Sequence, residues 1–230
     1  MQLYGLQKMT LLDFPGKVAC TVFTGGCNLR CPFCHNSALV TDIHQEESMP
    51  DTDILAFLDK RQGLLDGVAV TGGEPLLSSA IFPFLRSIRE KGYAIKLDTN
   101  GCFPDRLRQV VEEGLADFVA VDIKNAPAKY AETVGIEGFD LAPVRESVAF
   151  LLSGVIPFEF RTTVVQEFHT PDDIAAIGAW IQGAPRYFLQ NFTDSGALIT
   201  PGLHPVDQDT RDAMLKEARR FVPTAEWRGV

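Results

Sequence analysis

Short runs rich in β-branched and aromatic residues alternate with amphipathic stretches along the whole chain, and this alternation limits the possible fold more than any other feature. The strand-like runs fall at 17–23, 67–71, 93–98, 117–124, 157–165 and 186–192. Helical spacing occupies 51–61, 81–91, 104–114, 143–153 and 172–182, and a last helix is predicted over 207–221. Ile54, Leu55 and Leu58 mark one helix face; Val148, Leu151 and Leu152 mark another. Val68-Ala69-Val70 and Phe118-Val119-Ala120-Val121 are apolar at every position, as expected of parallel strands covered on both faces. Six β–α repeats without a Pro/Gly/Ser linker predict an α/β fold in a single domain, residues 1–230. Stretches 36–50 and 125–140 carry no periodic pattern and are expected to lack regular structure.

A hydrophobic content of 46% is enough for a core without disulfides at this length. Acidic residues outnumber basic ones, 30 to 21, and the net charge of −9 argues against binding nucleic acid or anionic membranes. No run approaches the ~20 apolar residues of a membrane helix. The opening Met1-Gln2-Leu3-Tyr4-Gly5 lacks the basic and apolar regions of a secretory leader. The expectation is a cytoplasmic protein whose thiols stay reduced. Its five cysteines, an odd number, do not form a disulfide framework, yet Cys27, Cys31 and Cys34 crowd together.

Polar residues gather where the predicted strands end. Glu74 follows the second strand through Thr71-Gly72-Gly73-Glu74-Pro75, and Asp98, Thr99 and Asn100 end the third. Asp122 and Lys124 end the fourth, Arg161 and Thr163 lie in the fifth, and Gln190 and Asn191 end the sixth. Parallel α/β folds bind ligands beyond the carboxyl ends of their strands. The cysteine cluster follows the first strand and belongs to the same predicted rim.

The spacing Cys27-x3-Cys31-x2-Cys34 sets what the thiols can bind. Clustered thiolates select zinc or iron–sulfur chemistry. A structural zinc site closes with four ligands, and His35 adjoins Cys34 too closely to join it comfortably on one ion. Three thiolates on a [4Fe–4S] cluster leave one iron open, which suits catalysis. Gly25 and Gly26 allow close backbone approach to such a cluster. Cys31-Pro32-Phe33-Cys34 by itself matches the thiol-exchange motif of glutaredoxin-type proteins, but that fold is much smaller and has no use for Cys27 or the Gly-Gly-Glu segment.

With these cysteines after the first strand and Gly72-Gly73-Glu74-Pro75 after the second, the chain resembles the radical S-adenosylmethionine (SAM) enzymes. The resemblance implies a partial (β/α)6 TIM-like barrel. It also implies a [4Fe–4S] cluster on Cys27, Cys31 and Cys34, with SAM chelating the fourth iron through its amino and carboxylate groups. Phe33 is implied to pack near the adenine, and Gly72, Gly73 and Glu74 to bind the SAM amino group. Asp13-Phe14-Pro15-Gly16, Phe23, Gly26-Cys27 and Cys34-His35-Asn36 narrow the resemblance to the glycyl-radical-enzyme activases. Asp98-Thr99-Asn100-Gly101 and Asp122-Ile123-Lys124 extend it. These motifs imply a monovalent cation beside the SAM carboxylate, held by Asp98, Thr99, Asp122 and the Ala120 carbonyl. Lys124 is implied to lie near that carboxylate, and Asp98, Thr99 and Asn100 join the SAM contacts. Arg161 either pairs with an acidic neighbour or contacts SAM. The motifs are specific over 5–124 and weaker beyond.

Opening and length most resemble the anaerobic ribonucleoside-triphosphate reductase activating proteins. No Cys-rich insert separates Cys34 from Gly72, so no auxiliary cluster is expected. The implied reaction takes an electron from a flavodoxin or ferredoxin and cleaves SAM. The resulting 5′-deoxyadenosyl radical takes hydrogen from the C-terminal glycine loop of a glycyl radical enzyme. Asp13, Pro15 and Gly16 are expected to border the mouth where that loop enters. Three alternatives remain: a pyruvate formate-lyase or other activase, a radical SAM enzyme with a small-molecule substrate, and a non-catalytic iron–sulfur carrier. Cys20 and Cys102 are expected to be small core residues, His44, His169 and His204 to be solvated, and His35 to touch the cysteine loop or substrate, or to be solvated too. The acidic stretch 42–53 is expected to be a solvated loop and helix start.

Overall fold

The apolar runs of the sequence fold as strands and the amphipathic stretches between them as helices, with ends within about two residues of those expected. The structure, a computed structural model, describes residues 1–194, 196 and 198–229. They fall into two compact units interleaved along the chain. The first comprises Met1–Asn28, Ala38–Thr99 and Phe103–Val119; the second comprises Leu29–Ser37, Asn100–Cys102 and Ala120–Val230.

The first unit contains β1 (Gln2–Thr10), β2 (Ala19–Thr24), α1 (Ala38–Thr41), β3 (Met49–Pro50) and α2 (Asp51–Asp59), followed by β4 (Gly67–Gly72), α3 (Ile81–Glu90), β5 (Ala94–Thr99) and α4 (Pro104–Glu112). Its strand order is β3-β1-β2-β4-β5. β2, β4 and β5 run parallel, with Ala19 beside Gly67 and Val68 beside Ile95, and β1 runs antiparallel to β2 and β3. Val68, Ala69 and Val70 are fully buried because strands flank β4 on both edges and side chains cover both faces. α3 buries Ile81, Phe82, Phe84, Leu85 and Ile88, a stripe at helical spacing, against β5 and α2. The Met1 ammonium pairs with Asp51 at the start of α2, so the acidic stretch ends in a helix start with a specific partner.

β6 (Phe118–Asp122) passes from the first unit into the second. Then come α5 (Tyr130–Val134), α6 (Ala142–Leu152), β7 (Phe158–Val164), α7 (Pro171–Trp180), β8 (Tyr187–Asn191), α8 (Gln208–Arg219) and β9 (Glu226–Arg228). β7, β8 and β9 are parallel, with Arg161 beside Phe188 and Leu189 beside Trp227. α7 opens with a reciprocal cap between Thr170 and Asp173 and packs against α8. Glu159 of β7 is fully buried and meets Arg228 of β9 in a two-pronged ion pair at 2.9 and 3.0 Å. The Arg228 guanidinium also lies 3.6 Å from the Phe188 ring centre.

Two stretches expected to lack structure are corrected. Segment 36–50 contains α1 and β3, and 125–140 contains a 3-10 turn over Pro127–Lys129 followed by α5. The reason in 125–140 is burial: Tyr130 stacks on Phe139 and meets the Trp180 ring edge-on, contacts that no local periodicity announces. No helix among the described residues is long and apolar enough to cross a membrane.

Candidate functional site

In the first unit, the backbone pairing of β2 with β4 continues past both strand ends. Gly73 N–H donates to the Thr24 carbonyl at 2.9 Å, and Glu74 N–H donates to the Gly26 carbonyl at 2.7 Å. The Gly-Gly-Glu segment is thus laced to the residue before Cys27. A Cβ on Gly73 would stand 2.0 Å from the Gly26 oxygen, so only glycine fits there. Glu74 is 1% exposed; its Oε1 accepts from Leu76 N–H at 2.9 Å and from the Thr99 hydroxyl at 2.7 Å. The ends of β4 and β5 are therefore tied through one carboxylate. Asp98 carries a salt bridge from Lys96, which lies two residues earlier on the same face of β5 and is 1% exposed.

Lys96 escaped the reading of the sequence. Its only signal there is a lysine inside the apolar run Ala94-Ile95-Lys96-Leu97, two positions before an aspartate.

The Asp13-Phe14-Pro15-Gly16 turn, expected to border the mouth of the site, precedes β2. β2 starts at Ala19 and ends at Thr24, so this turn precedes one end of the strand and Cys27 follows the other. Asp13 accepts from the Thr21 hydroxyl at 2.5 Å, and Phe14 is buried against Ala19 and Phe118. The turn fastens β2 into the core.

In the second unit, Cys31 and Cys34 share a tight turn in which Cys34 N–H donates to the Cys31 carbonyl at 3.0 Å. The end of α5 supports it: Arg30 N–H donates to the Val134 carbonyl at 2.9 Å. Gly135, left-handed at φ +67°, lets the Arg30 carbonyl come so close that a Cβ would stand 2.4 Å from its oxygen. Phe33 is buried, with ring centres of Phe168 at 5.9 Å and His169 at 6.4 Å. Of the three cysteines, Cys31 is buried and Cys27 and Cys34 are half-buried.

At the end of β6, Asp122 receives Arg161 Nε at 2.9 Å and Lys124 Nζ at 3.1 Å. Burial would raise the Asp122 carboxyl, but the two cations override it and hold it well below the usual carboxylate range. Burial alone would lower Lys124, yet Asp122 and the Cys31 sulfur keep it above its usual range. Arg161 therefore has the acidic partner that was one of its two expected roles. Asn100 is buried and accepts from Cys102 N–H at 2.9 Å.

The histidines divide differently from expectation. His44 and His204 are exposed, and His204 pairs with Glu167 at 2.7 Å. His169 is only 3% exposed, a correction: Nδ1 accepts from Val165 N–H at 3.1 Å and Nε2 meets the Lys124 carbonyl at 2.8 Å. The segment after β7 folds back on the stretch that follows β6 and carries the imidazole inward. His35 meets the Phe192 ring edge-on at 5.8 Å, and its pKa is lowered first by burial and then by Lys124. Cys20 is fully buried, which pushes its thiol up to about 12, while Cys102 is half-buried.

The donor chemistry fits the implied groups. By residue type, three soft thiols suit a [4Fe–4S] cluster, the buried Glu74 carboxylate suits an ammonium, and the Lys124 and Arg161 cations suit a carboxylate, while among the described residues no three His, Cys, Asp or Glu side chains stand together as a metal site. The radical SAM superfamily model matches residues 21–177, from β2 into α7. A Methanocaldococcus jannaschii protein whose name assigns it provisionally as a glycyl-radical enzyme activating enzyme is 29% identical over 201 residues, covering 84% of this chain and 80% of its own. The 7-carboxy-7-deazaguanine synthase of Methanopyrus kandleri is 31% identical over 130 residues, 48% of this chain and 51% of that one. Among solved structures, a domain of a pyruvate-formate lyase-activating enzyme from Bacteroides vulgatus superposes with a TM-score of 0.58 at 14% identity, covering 71% of this chain and 99% of that one. On its motifs, its α/β repeats and this match, the chain belongs to the radical SAM superfamily and is an enzyme with that superfamily's partial-barrel fold.

Proposed function

We propose that this enzyme activates a glycyl radical enzyme, with anaerobic ribonucleoside-triphosphate reductase as the partner and a flavodoxin or ferredoxin as the electron source. The observation that carries the reading is the three-cysteine loop at the end of β2, laced through Gly26 to Gly73 and Glu74. When bound, the [4Fe–4S] cluster and SAM supply one-electron chemistry strong enough to take hydrogen from a backbone glycine. Cys27, Cys31 and Cys34 are the proposed cluster ligands. Glu74 would hold the SAM ammonium and Lys124 and Arg161 its carboxylate, Gly72, Gly73, Asp98, Thr99 and Asn100 are the further proposed SAM contacts, and Phe33 would offer an apolar ring to the adenine. The family match runs through both units, which supports reading residues 1–230 as one radical SAM domain.

The synthase alignment favours a second reading, a small-molecule substrate, but it spans under half of this chain. The activating-enzyme relative spans 84% and supports the first. The deciding experiment is anaerobic. Reconstituted protein is given SAM and dithionite, deoxyadenosine is measured, and anaerobic ribonucleotide reductase is then added. A glycyl-radical EPR doublet on the reductase is expected. Deoxyadenosine release without a radical on the reductase, or on pyruvate formate-lyase tested in parallel, favours the small-molecule reading. No SAM cleavage at all sinks both.

A further inference from the structure

We propose that His169 is a positioning residue for SAM binding: its buried ring donates a hydrogen bond to the Lys124 carbonyl and so sets where Lys124 stands to meet the SAM carboxylate. The inference rests on the SAM-binding reading above, which gives Lys124 that contact. Every residue it uses lies in the second unit.

The neighbours of the ring place its proton. A carbonyl oxygen only accepts, so Nε2, at 2.8 Å from the Lys124 oxygen, carries the hydrogen and donates it. A backbone amide only donates, so Nδ1, at 3.1 Å from the Val165 nitrogen, presents its lone pair. A group that merely filled this space would be apolar, because burying an imidazole is costly unless both nitrogens are bonded. A second bond joins the same two segments in the opposite direction: the buried Asn125 amide donates to the Phe168 carbonyl at 3.0 Å, and also to the Thr133 hydroxyl at 2.8 Å. Lys124-Asn125 is thus laced to Phe168-His169. The Lys124 amide faces the Tyr130 hydroxyl at 3.4 Å, and its ammonium reaches Asp122 at 3.1 Å. Phe33, between Cys31 and Cys34, packs against Phe168 and meets the His169 ring edge-on at 71°, which holds the imidazole from the side.

The test compares anaerobically reconstituted wild type, H169Q and H169N by iron content and by equilibrium dialysis against SAM. H169Q carries an amide nitrogen to about the place of Nε2 and still donates to Lys124. H169N stops short of it and replaces only Nδ1. H169Q is expected to bind SAM within about threefold of the wild type and H169N about tenfold or more weakly, with equal iron in all three. A purely structural histidine would not separate Gln from Asn in SAM affinity at equal iron. H169N that binds as the wild type does, H169Q that loses as much as H169N, or H169N that loses its iron overturns the proposal. A double-mutant cycle gives a further check: in a K124M background H169N should weaken SAM binding by less than about threefold, and a full tenfold loss there overturns action through Lys124. If H169N does not fold, the wild type decides. Nitrogen-15 NMR of the full chain should show His169 protonated at Nε2, and a ring protonated at Nδ1 overturns the proposal. Wild-type protein that loads iron and binds no SAM overturns the SAM reading itself, whereas SAM bound equally by wild type and H169N overturns the His169 assignment alone.

Discussion

The five cysteines occupy three kinds of surroundings. Cys20 lies inside β2 with its thiol held protonated by burial, Cys102 is half-buried behind the Asn100 turn, and Cys27, Cys31 and Cys34 sit in a loop shaped by backbone bonds. Replacing any one of the last three by alanine should abolish iron retention after anaerobic reconstitution, read as iron and sulfide content. C20A and C102A should load normally, with C20A costing about 1 kcal/mol from the small void it leaves. His169 predicts a pH dependence. Burial first, and Lys129 less strongly, lower its pKa against the opposing backbone bonds and Asp173. The unfolded chain then takes a proton near pH ~6.5 while the folded one does not, so stability is complete above ~6.5 and declines as pH falls toward the lowered folded value. Thermal midpoints of the wild type should fall between about pH 7.5 and 5.5, and those of H169Q should fall less steeply. In the sequence, the thiols, Glu74, Asp98 and Asp122 stand out because they punctuate strand ends. The Lys96–Asp98 bond and the inward turn of His169 were hidden, because chain order does not reveal which side chain a pleated face or a returning loop brings together.

Elements were legible in proportion to how their burial follows a period. β4 is covered on both faces and reads as an unbroken apolar run, and α3 shows its stripe directly. β1 was hidden because only Leu3 and Thr10 among its nine residues are buried, with register shifts against β2 that erase alternation. β3 and β9 are too short for any pattern to show. α5 has five residues and exists because Tyr130, Thr133 and Val134 are buried, not because its sequence favours helix. This short element bears directly on the cysteine turn. G135A combines an unfavourable φ with a clash at the Arg30 carbonyl, so it should destabilise the protein by about 2 kcal/mol. Its iron content after reconstitution should also drop, whereas G138A, at a similar φ with open space around it, should load iron normally.

For the molecule as a whole, long-range ties matter more than the number of surface ion pairs, most of which are exposed and weak. Glu159 is different, fully buried and held by Arg228 near the other end of the second unit's chain. E159A strands a guanidinium over the Phe188 ring and should cost about 3–5 kcal/mol in chemical denaturation, while E159Q should cost less because its amide oxygen still accepts a bond.

The two interleaved units carry a consequence for how such a chain can be recombined. Each is stitched from separated stretches, and the three-residue stretch Asn100–Cys102 belongs to one unit while its neighbours on both sides belong to the other. Neither unit is therefore a heritable module: no single crossover or restriction fragment transplants it whole. Recombination can exchange such a unit only piecewise, stretch by stretch along the chain.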